Sequence, residues 1–137
     1  MSPAPMPAIA AFYGGLVGLL LLFLAARISR MRWQHKIRIG DEGNRDLQRA
    51  IRAHGNAVEW AIISIVLLLI TELNRASPVI LHACGIAIIV GRLLHAFGLS
   101  RVSGYSFGRF FGSLLSWGAV AVLSAWCVWA FLRLMLV

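Results

Sequence analysis

Residues Arg45–Trp60 read RDLQRAIRAHGNAVEW and pass directly into Ala61–Ile70, AIISIVLLLI. The second stretch is as apolar as a membrane span. The first carries three arginines, an aspartate, a histidine, an asparagine and a glutamate. No proline separates the two, so one helix carries both. Part of its polar face then lies at or inside a membrane boundary, and the fold turns on whether the rest of the chain supplies comparable spans.

Three further blocks do. Ala8–Ala26, AIAAFYGGLVGLLLLFLAA, has no charge. Val79–Gly91, VILHACGIAIIVG, runs on to Gly98 with Arg92 and His95 embedded. Phe110–Leu132, FFGSLLSWGAVAVLSAWCVWAFL, is again uncharged. Each supplies the roughly 20 residues a helix needs to cross about 30 Å of hydrocarbon. Backbone groups in lipid must pair within their own segment, and these blocks lack the alternation of barrel strands. The chain's 137 residues are 60% hydrophobic and 13% charged, too apolar for a soluble domain of this length. The expectation is an all-α integral membrane protein: a single domain, residues 1–137, forming an antiparallel bundle of four transmembrane helices over about 8–30, 44–72, 78–98 and 107–136. Short connections leave no room for a soluble domain. RIGDEGN, Arg38–Asn44, is the clearest break, and Ser77 with Pro78 reads as a cap and first helical residue.

The first block is followed by the basic flank RISRMRWQHK and not by a signal-peptidase site, so it reads as an uncleaved anchor. Cys84 and Cys127 fall inside spans and read as small packing residues; nothing in the spacing suggests a metal site.

Of thirteen Lys/Arg, eight lie between Arg27 and Arg52. The net charge of +8 is therefore concentrated at one boundary, which speaks for membrane topology and anionic lipid, not nucleic acid. The positive-inside rule places the first and third loops in the cytoplasm and both termini outside.

Topology alone does not explain the polar stripe. Arg45, Arg49, Arg52, Asn56 and Glu59 recur at steps of four, three, four and three, on one helical face. Arg92 and His95 share a face of helix three, and Arg109 begins helix four at the same end. Ionisable groups at membrane depth are costly and face a cavity or each other. Arginine forks bind carboxylates bidentately and a glutamate receives an ammonium, so the set suits a zwitterionic or anionic ligand. The plainer alternative is that Glu59 pairs with Arg52 or Arg92 and merely holds helices two and three together. One carboxylate does not neutralise three or four arginines, which weakens that alternative for the set as a whole. His54 is expected to bond a neighbouring helix and His82 to serve packing. Gly14 and Gly18, and Gly108, Gly112 and Ser116, recur at helix-contact spacing.

RAIRAHGNAVEW together with VGRLLHAFG resembles the membrane-associated proteins in eicosanoid and glutathione metabolism. The R-x-H-x-N-x-x-E pattern falls on Arg52, His54, Asn56 and Glu59, and G-R-x-x-H on Gly91, Arg92 and His95. The likeness covers essentially the whole chain and is strongest to the short bacterial members. It implies a homotrimer in the bacterial inner membrane, with glutathione as co-substrate bound between subunits at the cytoplasmic side. It assigns glutathione contacts to Arg52, Asn56, Glu59 and His95, with Arg49 and Arg92 in support and Arg30 or Arg32 as a further carboxylate contact. The family's thiolate-stabilising arginine falls on Arg109, the implied catalytic residue. The implied reaction is transfer of the thiol to a hydrophobic electrophile, or reduction of a lipid hydroperoxide, with the apolar partner arriving from the bilayer.

The chain departs from the eukaryotic enzymes at two places. Leu99 stands where they carry a tyrosine four residues after the His95 position, and Ser113 replaces a tyrosine four residues after the arginine. Tyr105 is a possible source of a hydroxyl nearby. The departures keep open a non-enzymatic lipid- or thiol-binding protein of the same fold. A small transporter ranks last, because neither broken helices nor an inverted repeat is present.

Overall fold

The computed structural model describes residues 6–101 and 104–136. They form four helices: α1 (Ala8–His35), α2 (Arg45–Leu73), α3 (Pro78–Arg101) and α4 (Phe107–Met135). All four are long and apolar enough to cross a membrane. α1 and α3 run toward the basic end of the bundle, α2 and α4 away from it. α3 packs most extensively against α4, α2 touches the other three helices, and α1 and α4 make no contact among the described residues.

The helix ends follow local chemistry. Asn44 caps α2, its Oδ1 accepting from the amides of Asp46 (3.1 Å) and Leu47 (3.0 Å). The Ser77 hydroxyl accepts from the Ile80 amide at 3.4 Å, and Ser106 caps α4 through the Arg109 amide at 3.3 Å. α1 continues past residue 30 to His35, since nothing in SRMRWQH breaks a helix; it stops where Lys36 turns left-handed at φ 58°. At about 1.5 Å per residue its 28 residues span about 42 Å, more than a bilayer's hydrocarbon. Its other end has no cap of its own. There Glu72, from the last turn of α2, accepts from the Ile9 amide (3.0 Å) and the Ala10 amide (2.6 Å).

Two apolar clusters fill the interior. The larger joins Tyr13, Val17, Leu68, Leu81, Ile88 and Leu123 in the half away from the basic end; the smaller joins Leu24, Ala53, Ala57 and Ala96 near it. Large apolar side chains such as Leu22, Phe23, Trp117 and Phe131 point outward, as a lipid-facing surface requires.

The α3–α4 seam is built by small residues. A methyl placed on Gly112 would meet the Gly91 carbonyl at 2.5 Å, one on Gly91 the Gly112 carbonyl at 2.8 Å, and one on Gly108 the Leu94 carbonyl at 2.7 Å. The helices therefore meet backbone to backbone, and the Gly108–Gly112–Ser116 stripe serves a contact inside one chain. The α1 stripe is split: a methyl placed on Gly14 would lie 3.6 Å from Ile65, whereas one on Gly18 would meet open space. Cys84 is a buried free thiol, and the Cys127 sulfur lies 3.5 Å from the Thr71 hydroxyl.

Candidate functional site

At the basic end, α2, α3 and the first turn of α4 enclose a cavity of about 300 Å³. α2 contributes Gln48, Arg49, Arg52 and Asn56, α3 contributes His95 and Leu99, and α4 contributes Arg109. The spacing of three and four on α2 directs its arginines and Asn56 to one side, and the Ser106 cap fixes where Arg109 leaves the helix.

Arg92 lies beneath this cavity, 2% exposed. Its Nε donates to Ser116 Oγ at 2.9 Å, Nη1 to Asn56 Oδ1 at 2.9 Å, and Nη2 to the Gly112 carbonyl at 3.4 Å. Its guanidinium also sits 5.8 Å from the Trp60 ring centroid. A buried cation is thus held by neutral acceptors from α2 and α4, and Glu59 is not among them. The anchoring has a consequence for Asn56: with its carbonyl oxygen committed to Arg92, its amide nitrogen is the group left to serve the cavity.

Arg49 spans the rim. It pairs with Asp46, and its Nη1 donates to the Arg101 carbonyl at 3.1 Å. Its Nε is buried without a hydrogen-bond partner among the described residues. Arg109 donates from Nη1 to the Gly104 carbonyl.

On the other side of His95 and Arg109 lies a second cavity of about 400 Å³. Those two residues line both. The rest of the second wall is largely aromatic and apolar: Tyr105, Phe110, Leu114 and Trp117. A cationic side chain therefore stands between a polar chamber and an apolar one that faces the bundle's outer surface. Such an arrangement could admit a charged group on one side of the guanidinium and an apolar group on the other.

Of the residues singled out from the sequence, the structure gathers Arg49, Arg52, Asn56, His95 and Arg109, and puts Arg92 directly behind them. It does not bring Glu59 to the cavity; Glu59 is exposed on the outside of α2. Among the described residues Glu59 forms no ion pair with Arg52 or Arg92, and Arg92 is bonded to Ser116, Asn56 and Gly112 instead. Arg30 is exposed, and Arg32 is turned to the Arg38 carbonyl at 3.2 Å, away from the cavity. Arg45 is exposed and outside the lining. His54 makes no hydrogen bond to a neighbouring helix among the described residues. His82 lies in the second turn of α3, exposed, with Nδ1 3.0 Å from the Tyr13 hydroxyl. Leu99 lines the polar cavity and Ser113 the apolar one, so neither replaced tyrosine position offers a phenol. Tyr105 does stand on the apolar wall beside Arg109.

Ser116 and Gln48 were not legible as site residues. Ser116 carried a signal nonetheless, as a polar residue within the small-residue stripe of an otherwise apolar helix. Gln48 carried none beyond adjoining Arg49.

The sequence model of the MAPEG family matches residues 10–129. The chain is also 38% identical over 119 residues to the inner membrane protein YecN of Escherichia coli strain K12, covering 87% of this chain and 82% of that protein. The protein of the same name from E. coli strain O6:H1 matches to the same extent.

Proposed function

The chain belongs to the MAPEG family, and from that membership and the paired cavities we propose a glutathione-dependent transferase or peroxidase of a bacterial inner membrane, acting on hydrophobic electrophiles or lipid hydroperoxides. The observation that carries the reading is that Arg109 and His95 line both a polar, arginine-rich cavity and an apolar one.

The donor set fits glutathione. Three arginines, Arg49, Arg52 and Arg109, suit a ligand with two carboxylates. When bound, glutathione supplies a thiol, whose deprotonated form is the nucleophile. Arg109 holds positive charge at the boundary of the two cavities and so favours that form over the neutral thiol, which otherwise titrates near 8.5. Arg52 and Arg49 hold carboxylates, and Asn56, fixed by Arg92, donates an amide hydrogen. Leu114 and Trp117 exclude water from the apolar side and receive the hydrophobic partner from the bilayer.

Among the described residues, no carboxylate lines the polar cavity to receive the ligand's ammonium group. Glu59 is exposed on α2 and so is available to a neighbouring copy, in keeping with the proposal of a homotrimer with sites shared between subunits. The eight basic residues between Arg27 and Arg52 support a cytoplasmic setting for this end, with both termini outside.

A second reading, thiol or lipid binding without turnover, is favoured by Leu99 and Ser113, which leave both cavities without the family's phenols. Titration of glutathione into purified protein, following affinity and thiolate absorbance, tests both. The transferase reading expects saturable binding with a thiolate signal, lost in Arg109→Ala, and weaker binding in Glu59→Gln. Binding with no thiolate signal and no conjugation of a model electrophile favours the second reading, and no binding by folded protein overturns the transferase reading and leaves lipid binding as the form of the second.

A further inference from the structure

Away from the paired cavities, α1 and α3 enclose a groove of about 510 Å³. Its length is apolar, with Leu20, Phe23 and Leu24 on one wall and Leu93, Leu94 and Phe97 on the other. Its basic end is closed by Arg27 and Arg101. The Arg27 guanidinium donates to Ser100 Oγ, and that of Arg101 lies 3.9 Å from the Phe97 ring centroid. Neither arginine has a carboxylate partner among the described residues, and no acidic side chain lines the groove.

We propose that this groove is a binding site for an anionic phospholipid, with an acyl chain lying along the apolar walls and the phosphodiester held at Arg27 and Arg101. An apolar channel open to the bilayer matches hydrocarbon. Two guanidiniums at headgroup depth match a phosphate, the acceptor for which the arginine fork is suited. The competing occupant is the helix of a second copy. Copies arranged side by side in one membrane orientation put the same end at the same depth, and that end is strongly basic: between Arg27 and Arg52 there are eight Lys/Arg against Asp41, Glu42 and Asp46. A neighbouring copy therefore brings mainly like charge to Arg27 and Arg101, whereas an anionic lipid brings the missing countercharge.

The test uses the full chain in nanodiscs of equal phosphatidylglycerol and phosphatidylcholine, with a benzophenone derivative of phenylalanine in place of Phe23, followed by photolysis and mass spectrometry of the products. The expected product is a lipid adduct enriched roughly tenfold in phosphatidylglycerol, given two basic groups at the surface. The enrichment falls to near parity in Arg27→Gln/Arg101→Gln and survives in Arg30→Gln/Arg38→Gln, which removes equal charge outside the groove. A cross-linked second copy as the main product overturns the proposal, as does adduct formation with no preference between the lipids or an Arg30→Gln/Arg38→Gln variant that loses the preference equally. The outcome does not depend on whether glutathione is the protein's thiol.

Discussion

Arg92 Nη1 donates to Asn56 Oδ1 across the α2–α3 interface at 2.9 Å, and this bond decides which end of the asparagine amide faces the polar cavity. Nε and Nη2 of the same guanidinium donate to Ser116 Oγ and the Gly112 carbonyl of α4. One planar group thus ties three helices together directly under the cavity.

Replacing Arg92 with Lys keeps the charge but removes the fork, and a single ammonium does not reproduce the three fixed directions. Arg92→Lys is expected to weaken glutathione binding by roughly tenfold, in line with lost charge-assisted hydrogen bonds. Asn56→Ala should weaken it comparably, and the double variant little further, because both act through one contact. Additive losses, measured by calorimetry on protein of unchanged helix content, contradict the positioning role.

The backbone-to-backbone seam predicts a sharp contrast between two glycines on α4. Gly112→Ala forces a methyl against the Gly91 carbonyl and is expected to cost on the order of 2 kcal/mol or more. Gly118 has nothing within 4 Å of where a methyl would go, so Gly118→Ala should leave the thermal midpoint in detergent unchanged or slightly raised. Equal effects of the two substitutions would refute the seam.

Glu72 substitutes for the missing cap of α1. Glu72→Ala removes the acceptor for two amides and its charge at a helix N-terminus, an expected loss of about 1 kcal/mol. Hydrogen exchange at Ile9 and Ala10 should accelerate while the interior of α1 keeps its protection. Unchanged exchange at those two amides would show that the cap contributes nothing.

The polar cavity is partly open, so its attraction for an anionic ligand is screened by salt. Raising ionic strength from about 0.05 M to about 0.5 M should weaken glutathione binding several-fold. Arg52→Gln should show a flatter salt dependence than the parent protein. A slope identical in both means that Arg52 does not face the ligand.

The four spans were readable because length and apolarity decide membrane crossing almost alone, and their order along the chain left one antiparallel arrangement with short loops. The site was partly readable for a similar reason: steps of three and four on α2 put Arg49, Arg52 and Asn56 on one face whatever they bind. Glu59 obeys the same periodicity yet falls outside the cavity. Periodicity fixes a side chain's angle on its own helix but not where the neighbouring helices stop covering that face. Arg92 looked like a partner for Glu59 because charge suggested it; the actual acceptors are neutral, and Ser116 and a glycine carbonyl carry little signature in sequence. The Glu72 cap was equally hidden, since it joins residues more than sixty positions apart.

The glycine seam fixes the main chain at His95, beside Gly112, and at Arg109, beside Gly98, whereas the side chains that bound the apolar chamber, Phe110, Leu114 and Trp117, project outward from α4. Substitutions on that outer face are expected to change the shape of the apolar chamber, and with it the fit of the proposed hydrophobic partner, without shifting the guanidinium. The outer surface of α4 is thus open to substitution, whereas the inner seam has no room for an added methyl at Gly108 or Gly112.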